Sequence, residues 1–250
     1  MIYTKLLDFL RYFIELSYNG KKYHGWQIQP DVNTVQKKIN DAISTVLQED
    51  ILVVGAGRTD TGVHAEKMVA HFDTSKELDA SCIFKFNSIL PEDIVIYSIK
   101  KVENDAHARF DAQSRSYEYR IWLGRNPFLL ESTWQFYHKK LDIIKMNEAA
   151  MMLLEYDNFQ AFSKVRTEVK TFNCNVSKAI WVQKGNLIVF HISANRFLRN
   201  MVRAIVGSLI AVGKGTISKD DFRQIIESKD RSKAGLSVPA KGLFLTAIDY

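Results

Sequence analysis

The run Gly55-Ala56-Gly57-Arg58-Thr59-Asp60-Thr61-Gly62-Val63-His64-Ala65 crowds three glycines, an arginine and a single carboxylate together just after the apolar Ile51-Leu52-Val53-Val54. Glycine reaches positive φ at little steric cost, so a strand end can turn sharply there and hold one side chain, Asp60, over an open cleft. That is the build of an active-site loop whose reactive group is a carboxylate, with Arg58 two residues earlier to neutralise or position a polyanion. Two phosphate-binding patterns fail on spacing. Counted from Gly55, the dinucleotide pattern G-x-G-x-x-G meets Asp60 at its sixth position, where a carboxylate repels pyrophosphate. A P-loop needs Lys-Ser/Thr after its last glycine, and Val63-His64 follows Gly62 instead. Taken alone, the loop also reads as a glycine-containing turn in which Asp60 caps backbone NH groups.

The elements that must position this loop are those of an ordinary globular chain. Its 250 residues are 46% hydrophobic and 25% charged, which suits one large or two moderate compact domains. Lys+Arg of 34 against Asp+Glu of 28 gives a net charge of +6, a moderate bias toward polyanionic partners. The two cysteines, Cys82 and Cys174, make no C-x-x-C and argue against a disulfide framework or zinc knuckle. Met1 to Leu10 carries Lys5 and Asp8 and lacks a continuous apolar core before a cleavage site, so it reads as mature cytoplasmic sequence. The apolar stretch Met201 to Val212 contains Arg203 and is too short to span a bilayer.

Residues 11 to 18 alternate as a half-buried strand, and Thr34 is placed to cap a helix whose stripe is Val35, Ile39, Ala42, Ile43, Val46 and Leu47. A strand from Ile51, the glycine-rich loop, a strand over Met68 to Phe72, a helix opened by Asp79 and ending at Ile89, and a strand over Ile94 to Val102 follow. The second half repeats a similar order of elements. Ser116 to Leu123 is a strand and Asp142 to Tyr156 a helix; Ala179 to Val182 and Leu187 to Ile192 pair as strands. Phe197 to Val212 and Ser218 to Glu227 are helices, and Gly242 to Ile248 is a last strand. The fold expected is α+β, two ferredoxin-like (RRM-like topology) domains with antiparallel sheets, over residues 1–105 and 106–250, with the active-site cleft between them. No strand carries the RNP1 aromatic pattern, so the sheet faces are read as core.

Five segments, in order along the chain, resemble the TruA family of transfer-RNA pseudouridine synthases. They are Tyr18-Asn19-Gly20 with Gly25-Trp26-Gln27 and Thr34-Val35-Gln36; Gly57-Arg58-Thr59-Asp60-Thr61-Gly62-Val63-His64-Ala65; Ala108-Arg109-Phe110 with Arg115-Ser116-Tyr117-Glu118-Tyr119; Phe197-Leu198-Arg199-Asn200-Met201-Val202-Arg203 with Val206-Gly207; and Ala240-Lys241-Gly242-Leu243 leading to Asp249-Tyr250. Asn19 stands where the family commonly has aspartate. The resemblance implies a cofactor-free isomerisation of uridine to pseudouridine at positions 38, 39 and 40 of the tRNA anticodon stem-loop. It also implies a homodimer in the cytoplasm.

By the same resemblance Asp60 is the catalytic carboxylate, acting as nucleophile or base; attack at C6, attack at C1′ and a glycal route all stay open. Burial alone would keep such a carboxylate protonated, so a cation must offset it, and the resemblance assigns that cation to Arg203. Val202, Ala204, Ile205 and Val206 around Arg203 make an unpaired charge costly there, which favours this role over a solvated one. Tyr117 is placed against the target base, to stack and relay a proton, although its strand face of Tyr117, Tyr119, Ile121 and Leu123 equally reads as core. Arg58 helps extrude the nucleotide. Leu243 and Leu245 are read as an apolar floor or as core, and Arg199, one helical turn before Arg203, as a cleft residue or a surface charge.

The outer loops Lys21-Lys22-Tyr23-His24 and Lys164-Val165-Arg166 are read as contacts to a folded tRNA recognised by shape and phosphate. His64 and His71 lack the spacing of a metal site, and no metal is expected. The alternative class is a catalytically silent RNA-binding or RNA-chaperone protein on the same fold, which would need no triad of Asp60, Tyr117 and Arg203.

Overall fold

The computed structural model describes residues 9–137, 140–164 and 169–250. Two sequence readings therefore fall partly outside the described residues: the leader question over residues 1–8, and the RNA-contact reading of Val165 and Arg166. The chain is a mixed α+β protein with largely antiparallel sheets. Residues up to Gln113, together with Tyr250, form one compact unit, and Ser114–Asp249 form the other.

The first unit runs β1 (Leu10–Tyr18), α1 (Val35–Leu47), β2 (Val54–Gly55), β3 (His64–Thr74), α2 (Ser81–Ile89) and β4 (Ile94–Val102). β1 lies between β3 and β4, antiparallel to both, and β2 pairs antiparallel with β3. The alternation of β1 becomes burial, with Tyr12, Ile14, Leu16 and Tyr18 all enclosed. Each large apolar side chain removed from water in this way contributes about 1.5–3 kcal/mol before entropy is counted. The α1 stripe behaves likewise: Val35, Ile39, Ala42, Ile43 and Leu47 are buried, and Val46 is half-buried.

Two local elements differ from their sequence expectation. Thr34 occupies the N-cap of α1, but its side chain does not cap the helix. The carbonyls of Gly25 and Trp26 accept from Val35 N (3.2 Å) and Gln36 N (3.0 Å), so main chain satisfies the open helix end. The strand expected from Ile51 shrinks to Val54–Gly55 because a polar stripe of α1 takes its hydrogen bonds. Ser44 Oγ accepts from Ile51 N (2.9 Å), Asn40 Oδ1 accepts from Val53 N (3.0 Å), and Gln36 Nε2 donates to Val53 O (2.6 Å). With Ile51 N and both Val53 main-chain groups satisfied by α1, ladder pairing with β3 begins only at Val54. β3, by contrast, extends beyond Met68 to Phe72 in both directions. Asp79 precedes α2 and accepts from Ser81 N at 2.8 Å.

The second unit runs β5 (Ser114–Leu123), β6 (Trp134–Phe136), α3 (Ile143–Met151), β7 (Val176–Lys184), β8 (Leu187–Ala194), α4 (Met201–Gly213), α5 (Lys219–Ser228) and β9 (Leu243–Asp249). β9, β5, β8 and β7 lie side by side in that order, each antiparallel to its neighbours. Only the short β6 runs parallel, beside Ile121–Leu123. Asp142 caps α3 by accepting from Lys145 N (3.1 Å), but α3 ends at Met151 and a 3₁₀ turn, Met152–Leu154, takes over before Tyr156. Ser218 and Asp221 form a capping box at the start of α5.

α4 is shorter than the sequence suggests. The helix expected from Phe197 begins at Met201, because Asn200 adopts the left-handed conformation at φ 68° and breaks the helical path. Nearly every α4 side chain is then buried, and the least buried stripe is Arg203, Gly207 and Ala211, spaced four apart. Among the described residues no helix is long and apolar enough to cross a membrane.

Candidate active site

The loop between β2 and β3 is anchored on both sides of Asp60 by main-chain hydrogen bonds. Trp26 N donates to Thr59 O (3.2 Å), and Gly62 N donates to Tyr23 O (3.2 Å). Asp60 O accepts from Val63 N (3.1 Å), closing a β-turn whose third residue is Gly62 at φ +76°. Such a positive φ at the third position is what a type II turn demands, and glycine supplies it without strain. Gly25, at φ +89°, lies so close that a Cβ would stand 2.4 Å from Thr59 O. Glycine at 25 is therefore what allows segment 25–26 to bridge the open end of α1 and the Asp60 loop.

Within this loop Thr59 is buried, Asp60 half-buried and Arg58 exposed. Tyr18 adds a side-chain anchor, its hydroxyl lying 2.8 Å from Thr59 Oγ1. His64 is buried, and its Nδ1 accepts from Gly20 N (3.1 Å), tying the end of the loop to the segment that follows β1. The reading of Lys21-Lys22-Tyr23-His24 as an outer contact loop needs one correction. Lys21, Lys22 and His24 are exposed, but Tyr23 is buried and donates its hydroxyl to Asp93 Oδ1 at 2.5 Å. Burial, and then that carboxylate, push the Tyr23 phenol well above its ordinary range, so it remains a hydrogen-bond donor.

His71 also serves the main chain, with Nδ1 accepting from Ala108 N at 3.1 Å. Its ring lies 4.6 Å from His107, and burial, with Arg11 and His107 adding to it, lowers its pKa from 6.5 to about 4 against the opposing Asp73 and Asp111. Between those values the unfolded chain takes up a proton that the folded chain does not. Stability is therefore complete above about pH 6.5 and falls as pH drops toward 4. Thermal unfolding across that window should show Tm declining in the wild type and declining less in His71→Gln, whose amide oxygen can still accept from Ala108 N. An unchanged slope in His71→Gln would assign the decline to other groups. Among the described residues, no three or more His, Cys, Asp or Glu side chains are grouped to hold a metal ion.

In the second unit, Tyr117 is half-buried on β5, opposite Ile192 of β8 and Leu245 of β9, with a register shift between Ser116 and Tyr117 on the β9 side. Phe197 meets its ring edge-on, with centroids 5.1 Å apart. The sequence pattern carries Phe197 into the helix, whereas α4 starts only at Met201 and leaves Phe197 to meet Tyr117. Leu243 and Leu245 are both buried, opposite Tyr119 and Tyr117 respectively. Leu245 is thus a direct neighbour of Tyr117, and Leu243 packs one pair further along.

Arg203 donates from Nε to Val238 O (2.7 Å), while its own carbonyl accepts from Val238 N (3.3 Å). Tyr119 Oη donates to the next carbonyl, Pro239 O, at 2.8 Å. Burial raises the Tyr119 pKa far beyond its usual value despite the opposing charge of Arg203, so Tyr119 stays a neutral donor. Residues 238–239 are therefore pinned by Arg203 and by the tyrosine two positions along β5 from Tyr117. Arg199 departs from expectation. It precedes α4, is exposed, and its carbonyl accepts from Lys164 N (3.1 Å), so it is not one helical turn from Arg203. The left-handed Asn200 between them is the cause.

Asp60 thus lies in a glycine turn of the first unit, while Tyr117 and Arg203 lie on packed elements of the second. The family model for tRNA pseudouridine synthase matches residues 16–111 and 149–250. The chain belongs to that family, whose reaction isomerises uridine to pseudouridine in tRNA. It is 51% identical to tRNA pseudouridine synthase A of Bacteroides fragilis over 243 residues, covering 96% of each chain. It is 49% identical to the enzyme of the same name from Parabacteroides distasonis, again over 96% of each. It is 39% identical to tRNA pseudouridine synthase A 2 of Clostridium perfringens, over 95% of this chain and 98% of that one. A solved structure from Galdieria sulphuraria matches with a TM-score of 0.24 at 9% identity, over 75% of this chain and 81% of that one, a likeness too slight to show a shared fold.

Proposed function

We propose that this isomerase acts on uridines 38, 39 and 40 of the tRNA anticodon stem-loop, with Asp60 as its catalytic carboxylate. The observation that supports this most is the anchoring of Thr59 and Gly62 on either side of Asp60, which fixes the main chain of a half-buried acid. In the reaction the N1–C1′ bond breaks, the base turns, and a C5–C1′ bond forms. The C5 proton leaves and N1 gains one, so the product is an isomer and no redox partner is needed.

In this reading Asp60 acts on the ribose or on the base, and Arg203 is the cation that keeps the acid ionised as water is excluded. Tyr117 stacks on the base and relays the proton lost from C5. Leu245, beside Tyr117, and Leu243 give the pocket an apolar floor. Arg58, exposed on the loop, takes the space left by the extruded nucleotide, and Arg199 meets backbone phosphate from outside α4. We further propose that residues 1–105 and 106–250 are ferredoxin-like domains, for which the strand orders β4-β1-β3, with β2 beside β3, and β9-β5-β8-β7 speak. The first carries the Asp60 loop and the second completes the active site. The working form is a cytoplasmic homodimer.

The test is to incubate the protein with unmodified tRNA transcripts carrying uridine singly at position 38, 39 or 40 and to map pseudouridine by chemical labelling. Product should appear at each. Binding of every transcript without product would favour a catalytically silent RNA-binding protein, and product only outside the anticodon arm would displace the proposed target.

A further inference from the structure

We infer that Tyr18 and Thr59 form a hydroxyl pair that positions Asp60 for catalysis, an inference that rests on Asp60 being the catalytic group. The main-chain bonds from Trp26 N to Thr59 O and from Gly62 N to Tyr23 O hold the loop at two points. Both of these anchors are main-chain bonds, one on each side of Asp60. The 2.8 Å contact between Tyr18 Oη and Thr59 Oγ1 adds a side-chain anchor on the residue next to Asp60.

The pair is built to be stiff. Tyr18 is 4% exposed and Thr59 8% exposed, so water does not compete for either hydroxyl. The Tyr18 ring lies 6.0 Å from the Trp26 ring, and Trp26 is itself buried and bonded to Thr59 through its main-chain N–H. On β1 the register with β3 shifts between Leu16, opposite Met68, and Tyr18, opposite Ala65. That shift places Tyr18 at the level where β3 emerges from the loop. The branched Cβ of Thr59 has few rotamers, so holding its hydroxyl also restrains its backbone. Neither residue touches the reacting atoms in this role. Both act through Asp60, as positioning residues, and displacing a reactive group by about 1 Å is enough to cost on the order of 10²-fold in rate.

Tyr18→Phe and Thr59→Val each remove one hydroxyl and keep the shape. On full-length tRNA under saturating conditions, each should lower kcat about tenfold to a hundredfold while KM and RNA affinity stay close to wild type and Tm falls by only a few degrees, as a buried hydroxyl left unpaired requires. Thr59→Ser should recover most of the rate, and the Tyr18→Phe/Thr59→Val double variant should be no slower than the slower single, because one interaction is lost in all three. Asp60→Ala is measured beside them. Wild-type kcat in both single variants, with Asp60→Ala inactive, overturns the positioning inference and leaves the role of Asp60 intact. A loss of kcat matched by loss of RNA binding, or by unfolding at the assay temperature, overturns it in favour of a structural role. Turnover by Asp60→Ala at the wild-type rate removes the premise, and is distinguishable because it needs neither hydroxyl variant.

Discussion

Asp60→Ala should stop pseudouridine formation, by at least about 10⁴-fold in single-turnover rate, the scale expected when a reacting group is deleted. RNA affinity should change little. Most contacts to a folded tRNA come from phosphate and shape recognition spread over many side chains, and loss of one carboxylate removes none of them. The fold should also survive, because Trp26 and Tyr23 hold the loop through the main chain of Thr59 and Gly62, which the substitution keeps. The turn closed by Val63 N on Asp60 O is likewise a main-chain feature. Gel-shift affinity, Tm and product yield measured together separate these effects. Retained turnover would remove Asp60 from the chemistry, whereas parallel loss of Tm would make its role structural.

Arg203→Met should come next in size, with turnover at neutral pH down at least about 10²-fold and tRNA affinity nearly unchanged. An acid in a water-excluded site is driven toward its protonated form, and an opposing cation reverses this. In the proposed role, losing the Arg203 cation removes charge stabilisation from the transition state, which is read as a loss of turnover. Arg203→Lys keeps the charge but not the two-pronged geometry, and should fall between the wild type and Arg203→Met. Arg203 also donates to Val238 O, so Tm must be followed in both variants. Equal loss of binding and turnover would move Arg203 from chemistry to RNA contact.

The parts of this chain that were legible from sequence are those where one local pattern had one outcome. Strict alternation in β1 and the apolar stripe of α1 could be satisfied only by burying those faces, and Ile94–Val102 came out with the bounds read from its pattern. Residues 51–53 misled because their apolar run suits a strand, while Gln36, Asn40 and Ser44 take their main-chain bonds from a helix earlier in the chain. The start of α4 misled because Phe197-Leu198 continues a helical pattern, and only the left-handed Asn200 interrupts it. That error also put Arg199 on the wrong element and hid the contact of Phe197 with Tyr117.

The same division runs through the site. Asp60 stood out because it is the only carboxylate in a glycine-rich turn. Its supports did not, since Tyr18 and Thr59 are 41 residues apart and Tyr23 and Asp93 are 70 apart. Tyr23 looked like surface because lysines precede it, and the aspartate that receives its hydroxyl lies just before a distant strand. A reactive side chain is announced by its neighbours in sequence, while the groups that aim it are neighbours only after folding.

Isomerisation must expel the hydrogen at C5 of the target uridine, so tritium release from tRNA transcribed with [5-³H]uridine reads the proposed chemistry directly. The wild-type protein should release tritium from anticodon-arm uridines, and Asp60→Ala, bound to the same tRNA with similar affinity, should release none. Tritium release by Asp60→Ala at the wild-type rate would contradict the assignment of Asp60 as the catalytic carboxylate.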